Sequence, residues 1–206
     1  MFMRHILFGD SIGFGTGDFE QAGWAGRLRH ALDQSRKTKD HTLINLSIPG
    51  DTTRGLLARF LSETKVRLRP DETRDAYTLI LAMGTNDARV DQANTTRNVP
   101  IEEYMQNMYT ILDQAEPYFC RTLIIGLPTV AEQRTAPFKL ENYYYNSNLA
   151  LYNSALAGVA AARGLDFVDL HTTWQHLDTS GLFYDGLHPN TEGHARIFEQ
   201  IWPYIR

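Results

Sequence analysis

Ile6-Leu7-Phe8-Gly9-Asp10-Ser11-Ile12-Gly13 carries an unbroken apolar run straight into small and polar residues near the start of a 206-residue chain. A short apolar run that stops at turn-forming residues reads as a strand buried on both faces. Arg4–Phe8 fits that description, and the pattern recurs at Thr42–Leu46, Tyr77–Met83, Thr122–Gly126 and Asp166–Val168. Longer amphipathic segments lie between the runs: Trp24–Ser35, Thr52–Arg67, Ile101–Glu116, Asn146–Arg163, and a last one from Thr191 to about Ile201. Leu28 and Leu32, then Leu56, Leu57, Phe60 and Leu61, recur at the spacing of one helix face. Asp51 and Thr52 supply start chemistry for the second helix, and Arg163-Gly164 a stop for the fourth. Strands that alternate with helices need crossover connections, which produce a parallel sheet covered on both faces. The expected architecture is α/β: a three-layer α/β/α sandwich around a five-stranded parallel sheet, in a single domain spanning residues 1–206.

Composition narrows the function classes. Hydrophobic residues make up 43% and charged residues 21%, ordinary proportions for a globular protein. Twenty Lys and Arg stand against 24 Asp and Glu, a net charge of −4, and no basic run offers a footprint for nucleic acid. No apolar stretch approaches the roughly 20 residues of a membrane span. The segment Met1 to Gly9 reads as a strand rather than a leader, so a cytoplasmic protein is expected. Cys120 has no second cysteine to pair with, and its place beside Leu123-Ile124-Ile125 suggests a partly buried structural thiol.

Ligands of open α/β sheets bind outside the carboxyl ends of the strands. The residues that follow the strands here are Gly9-Asp10-Ser11, Ser47-Ile48-Pro49-Gly50-Asp51, Gly84-Thr85-Asn86-Asp87 and, before the last helix, Asp185-Gly186-Leu187-His188-Pro189. Taken singly, each has a bland reading: Ser11 as a turn or cap residue, Gly50 as a turn glycine, Asn86 as a helix cap. A serine becomes a nucleophile only with a base in reach and a third group orienting that base. Among the seven histidines, His188 is the strongest candidate base, with Asp185 three residues earlier able to reach Nδ1 and leave Nε2 for Ser11. Gly50 N–H, Ser11 N–H and the Asn86 side chain are candidate donors to a developing oxyanion.

The four segments together resemble the signature blocks of the SGNH hydrolases, the GDSL esterases and lipases, in order and separation across nearly the whole chain. The one departure in the first block is Ile12, where the family name has leucine. The resemblance implies a flavodoxin-like SGNH hydrolase fold and a serine esterase or thioesterase. Ser11, His188 and Asp185 would form the catalytic triad, and Ser11, Gly50 and Asn86 the oxyanion hole. It implies structural roles for Asp10 and Asp87, and Asn153 is similar to a scaffold asparagine of the family. No cofactor and no metal is implied, and the partner would be a small-molecule acyl ester or thioester. The oligomeric state is not written in the sequence.

Other readings compete. Gly9-Asp10-Ser11-Ile12-Gly13 also fits the nucleophile elbow of α/β-hydrolases, but the serine follows the first strand and the acid and base share one loop. Gly13-Phe14-Gly15-Thr16-Gly17 suggests a nucleotide-binding module, yet Asp18 breaks the G-x-G-x-x-G fingerprint. A catalytically silent SGNH-like binding protein is a further alternative. A metal hydrolase on Asp169, His171 and His176 lacks a ligand motif. The stretch from Pro128 to Tyr145 reads equally as a functional loop or a surface loop. Phe14, Phe19, Trp24, Phe138 and Tyr143 to Tyr145 would line an acyl pocket or, as the more ordinary reading, belong to the core.

Overall fold

Strands β1 (Met3–Gly9), β2 (His41–Asn45), β3 (Tyr77–Ala82), β4 (Arg121–Ile125) and β5 (Asp166–Val168) form one parallel sheet in the order β2-β1-β3-β4-β5. The computed structural model describes residues 3–35, 41–91, 95–139 and 141–205. Side chains alternate across a strand, so consecutive apolar residues of β1 and β3 feed two different cores. Ile6, Phe8, Leu79 and Leu81 pack against α3 (Thr53–Lys65), α4 (Ile101–Ala115) and α6 (Asn146–Ala162). Leu7 and Ile80 pack against α2 (Gly23–Ser35) and α8 (Thr191–Ile205) on the other face. The three layers, the parallel sheet and its five strands are those expected from the alternation of patterns. Strand order 2-1-3-4-5 is the flavodoxin-like one and places a topological switch between β1 and β3.

The long helices begin and end close to their expected bounds, for legible reasons. Thr52 caps α3, its side chain accepting from Gly55 N–H. After α6 the chain turns at Gly164 with φ of +61°, where Leu165 N–H returns to Ala160 C=O. Helix α8 runs past Ile201 to Ile205 with Pro203 inside its last turn. That proline forfeits one helical hydrogen bond, and burial of Ile201 and Ile205 in the α2-side core offsets the loss. Three short helices carry no periodic pattern: α1 (Ser11–Phe14), α5 (Glu132–Thr135) and α7 (Leu170–Gln175).

Cys120 is exposed, not partly buried as expected. It lies just before the first residue of β4, where the strand enters from the surface; its thiol donates to Tyr77 C=O at 3.2 Å. Among the described residues, no helix is long and apolar enough to cross a membrane.

Candidate active site

The neighbouring strands β1 and β3 release the chain side by side at the switch point. Ser11 follows β1 as the first residue of α1, which Asp10 caps by accepting Ile12 N–H at 2.9 Å. Asn86 follows β3 in the same layer, and both side chains are buried. Ile48 N–H donates to Gly9 C=O at 3.0 Å, tying the β2 exit loop to the same edge.

The loop before α8 folds back over Ser11 from 177 residues away, bringing His188 Nε2 to 3.0 Å from Ser11 Oγ. His188 Nδ1 lies 2.7 Å from Asp185 Oδ2. The other oxygen, Asp185 Oδ1, accepts the backbone N–H of Leu187 at 3.0 Å and of His188 at 2.9 Å. Partial burial alone would push the Asp185 carboxyl up, but the hydrogen bonds from the His188 ring and backbone outweigh it and hold it at about 2. An ionised Asp185 keeps the proton on Nδ1 and leaves the Nε2 lone pair facing the Ser11 hydroxyl.

Gly50 sits in the turn Ile48-Pro49-Gly50-Asp51, closed by Asp51 N–H to Ile48 C=O at 3.1 Å. Its φ of +81° after a proline is the pattern of a type II turn, which favours glycine at this position. A Cβ there would meet nothing within 4 Å, so the backbone conformation, rather than close approach, is what requires glycine. Asn86 Nδ2 donates to Asp51 C=O at 3.0 Å, which joins the asparagine to this turn. Asn86 Oδ1 accepts from the Tyr144 hydroxyl at 3.2 Å. The backbone N–H groups of Ser11 and Gly50 meet no acceptor among the described residues. All five residues singled out in the sequence thus collect around one edge of the sheet.

The supporting residues divide plainly. Asp87 accepts from Thr53 N–H at 3.0 Å and Thr53 Oγ1 at 2.5 Å, tying the β3 exit to the start of α3. Burial pushes the Asp10 and Asp87 carboxyls up to about 6, against the hydrogen bonds each accepts. Asn153 accepts from Leu127 N–H and donates to Asp169, holding the β4 exit against the start of α7. In and beside the glycine-rich segment, Gly15 N–H donates to the carbonyls of Ser11 and Ile12, Thr16 N–H to Ser11 C=O and Asp18 N–H to Gly15 C=O. Asp169 caps α7 and His171 is buried. Among the described residues, no group of three or more His, Cys, Asp or Glu is placed to hold a metal.

Phe138 and Tyr144 are buried in the α3-side core, edge to face at 5.9 Å. Phe138 also meets the His188 ring at 6.0 Å and 70°. Of the two readings open to Phe138 and Tyr144, pocket lining or core, burial gives the core one, while Phe138 against His188 and Tyr144 against Asn86 also border the site. Trp24 is core as well, whereas Phe14 and Phe19 are 55% and 80% exposed.

A sequence model of the GDSL-like lipase/acylhydrolase family matches residues 7–196. The Bos taurus protein named isoamyl acetate-hydrolyzing esterase 1 homolog is 28% identical, over 98% of this chain and 81% of its own length. The isoamyl acetate-hydrolyzing esterase of Saccharomyces cerevisiae is 26% identical, over 89% of this chain and 79% of its own. The structure of a lipase/acylhydrolase from Enterococcus faecalis superposes with a TM-score of 0.75 at 22% identity, covering 98% of this chain and 95% of that one.

Proposed function

Because the chain belongs to the GDSL-like lipase/acylhydrolase family and is an esterase of the GDSL type, we propose that it cleaves carboxylic esters or thioesters of small or single-chain acyl groups through an acyl-enzyme on Ser11. The observation that carries this reading is the continuous chain Ser11 Oγ, His188 Nε2, His188 Nδ1, Asp185 Oδ2, with links of 3.0 and 2.7 Å. Ser11 Oγ attacks the carbonyl carbon while His188 Nε2 takes its proton. The N–H groups of Ser11 and Gly50 and one Asn86 amide proton stabilise the resulting oxyanion. His188 returns the proton to the departing alkoxide or thiolate, then activates water to release the acid and free Ser11.

The proton is returned on the His188 side, so the leaving alcohol departs there. That side carries exposed aromatic surface. Phe19 meets Tyr184 edge to face at 5.2 Å, and Tyr184 N–H donates to His188 C=O at 2.9 Å. Phe14 stands three residues after Ser11 on the same face of α1. Apolar surface of this kind, with Phe19 80% and Tyr184 56% exposed, suits an alkyl or aryl alcohol better than a sugar. The relatives named for isoamyl acetate fit the same expectation.

Purified protein should hydrolyse p-nitrophenyl acetate or butyrate without added metal, and a fluorophosphonate should label Ser11 covalently. Folded protein that does neither would refute the acyl-enzyme reading.

A further inference from the structure

We propose that Tyr144 is a positioning residue for oxyanion stabilisation, holding and polarising the Asn86 carboxamide that the proposed acyl-enzyme mechanism uses as a donor. The inference rests on that mechanism and concerns a residue outside the four sequence blocks. A carboxamide has one useful end: its nitrogen attracts an oxyanion and its oxygen repels one. Two contacts determine which end is presented. Asp51 C=O accepts one Nδ2 proton at 3.0 Å and forbids the flipped amide, in which two oxygens would face each other. The Tyr144 hydroxyl donates to Oδ1 at 3.2 Å and takes up the remaining end. The second Nδ2 proton is then left for the oxyanion.

Tyr144 is itself firmly held. Its N–H donates to Thr135 C=O at 2.9 Å, and its own C=O accepts from Thr135 Oγ1 at 2.9 Å. Its ring lies in the core against Phe138. Burial pushes the phenol up to about 12, with the nearby Arg89 guanidinium acting the other way, so the hydroxyl keeps its proton where esters are hydrolysed. Donation to Oδ1 withdraws electron density from the amide and makes the free N–H a stronger donor, and linked hydrogen bonds reinforce one another in a buried site.

The test is Tyr144→Phe, which keeps the ring and removes only the hydroxyl. On p-nitrophenyl butyrate, kcat should fall roughly 5- to 20-fold, the effect of losing one hydrogen bond. KM and thermal midpoint should stay near wild type. Affinity for a boronic acid, which forms a tetrahedral adduct on Ser11, should fall by the same factor as kcat. In an Asn86→Ala background, Tyr144→Phe should cost nothing further, because the group it positions is gone. An unchanged kcat, an equal loss in the Asn86→Ala background, or a loss that follows the thermal midpoint would overturn the proposal. Failure of the acyl-enzyme reading looks different: wild-type protein would then neither turn over the ester nor accept the fluorophosphonate at Ser11.

Discussion

At Ser11, reactivity belongs to the neighbours. A serine hydroxyl is a poor nucleophile until a base faces it, and in the proposed mechanism that base is His188, at 3.0 Å from Ser11 with Asp185 behind it. Ser11→Ala and His188→Ala should each remove nearly all turnover, measured as kcat on a p-nitrophenyl ester. Asp185→Ala should cost less than His188→Ala, because Asp185 orients the base without touching reacting atoms; an equal loss would give Asp185 a larger part. Asn86→Ala should lower kcat by roughly 10²–10³ with a small change in KM, as expected for a donor used mainly in the transition state. Near-normal turnover would remove Asn86 from the mechanism. These residues were legible in the sequence because Ser11 and Asn86 follow a strand within a few positions and Asp185 and His188 stand three apart just before the last helix. The contact of Tyr144 with Asn86 was not, since it spans 58 residues of chain with no periodic mark.

Between elements, α2 and α8 are joined through a histidine that the site does not use. His194 on α8 accepts Trp24 N–H at Nδ1 (3.2 Å) and donates from Nε2 to Thr16 C=O (3.0 Å). Both ring positions are thereby committed to the neutral form. Burial lowers His194 to about 4, against its ordinary 6.5. A lowered folded value means stability fully present above pH 6.5 and lost as pH falls through 4. At about 1.4 kcal/mol per unit, the contribution is on the order of 3 kcal/mol. His5 is lowered to about 4 by burial and acts in the same direction. Asp10 and Asp87, raised to about 6, act oppositely: their contribution is present below about 4 and lost as pH rises through 6. The wild-type curve alone therefore mixes opposing terms. The difference in urea-unfolding free energy between wild type and His194→Gln should shrink by on the order of 3 kcal/mol from pH 6.5 to pH 4. A difference that stays constant would show that His194 titrates alike folded and unfolded.

At the scale of the molecule, the fold brings the β1, β2 and β3 exit loops and the loop before α8 to one edge and leaves an aromatic surface on the side where the proposed mechanism releases the alcohol. Acetate esters of ethyl, isoamyl and phenethyl alcohols should be cleaved with kcat/KM rising with apolar size. Replacing Phe19 and Tyr184 together by Ser should lower kcat/KM for the two larger esters by about tenfold, on the order of one lost apolar contact. Ethyl acetate should be unaffected; a uniform loss across the series would place those side chains outside the alcohol's path.

From the sequence by itself came the alternation of elements, the parallel sheet, the strand-end positions of Ser11, Gly50 and Asn86, and the Asp185 and His188 pair before the last helix. All of these follow from periodicity and from residues close in the chain. Folding alone determined the strand order, the reach of His188 across 177 residues to Ser11, the exposure of Cys120 and the arrival of Tyr144 at Asn86. Contacts between distant segments depend on how whole layers pack, and packing leaves no local pattern from which to read them.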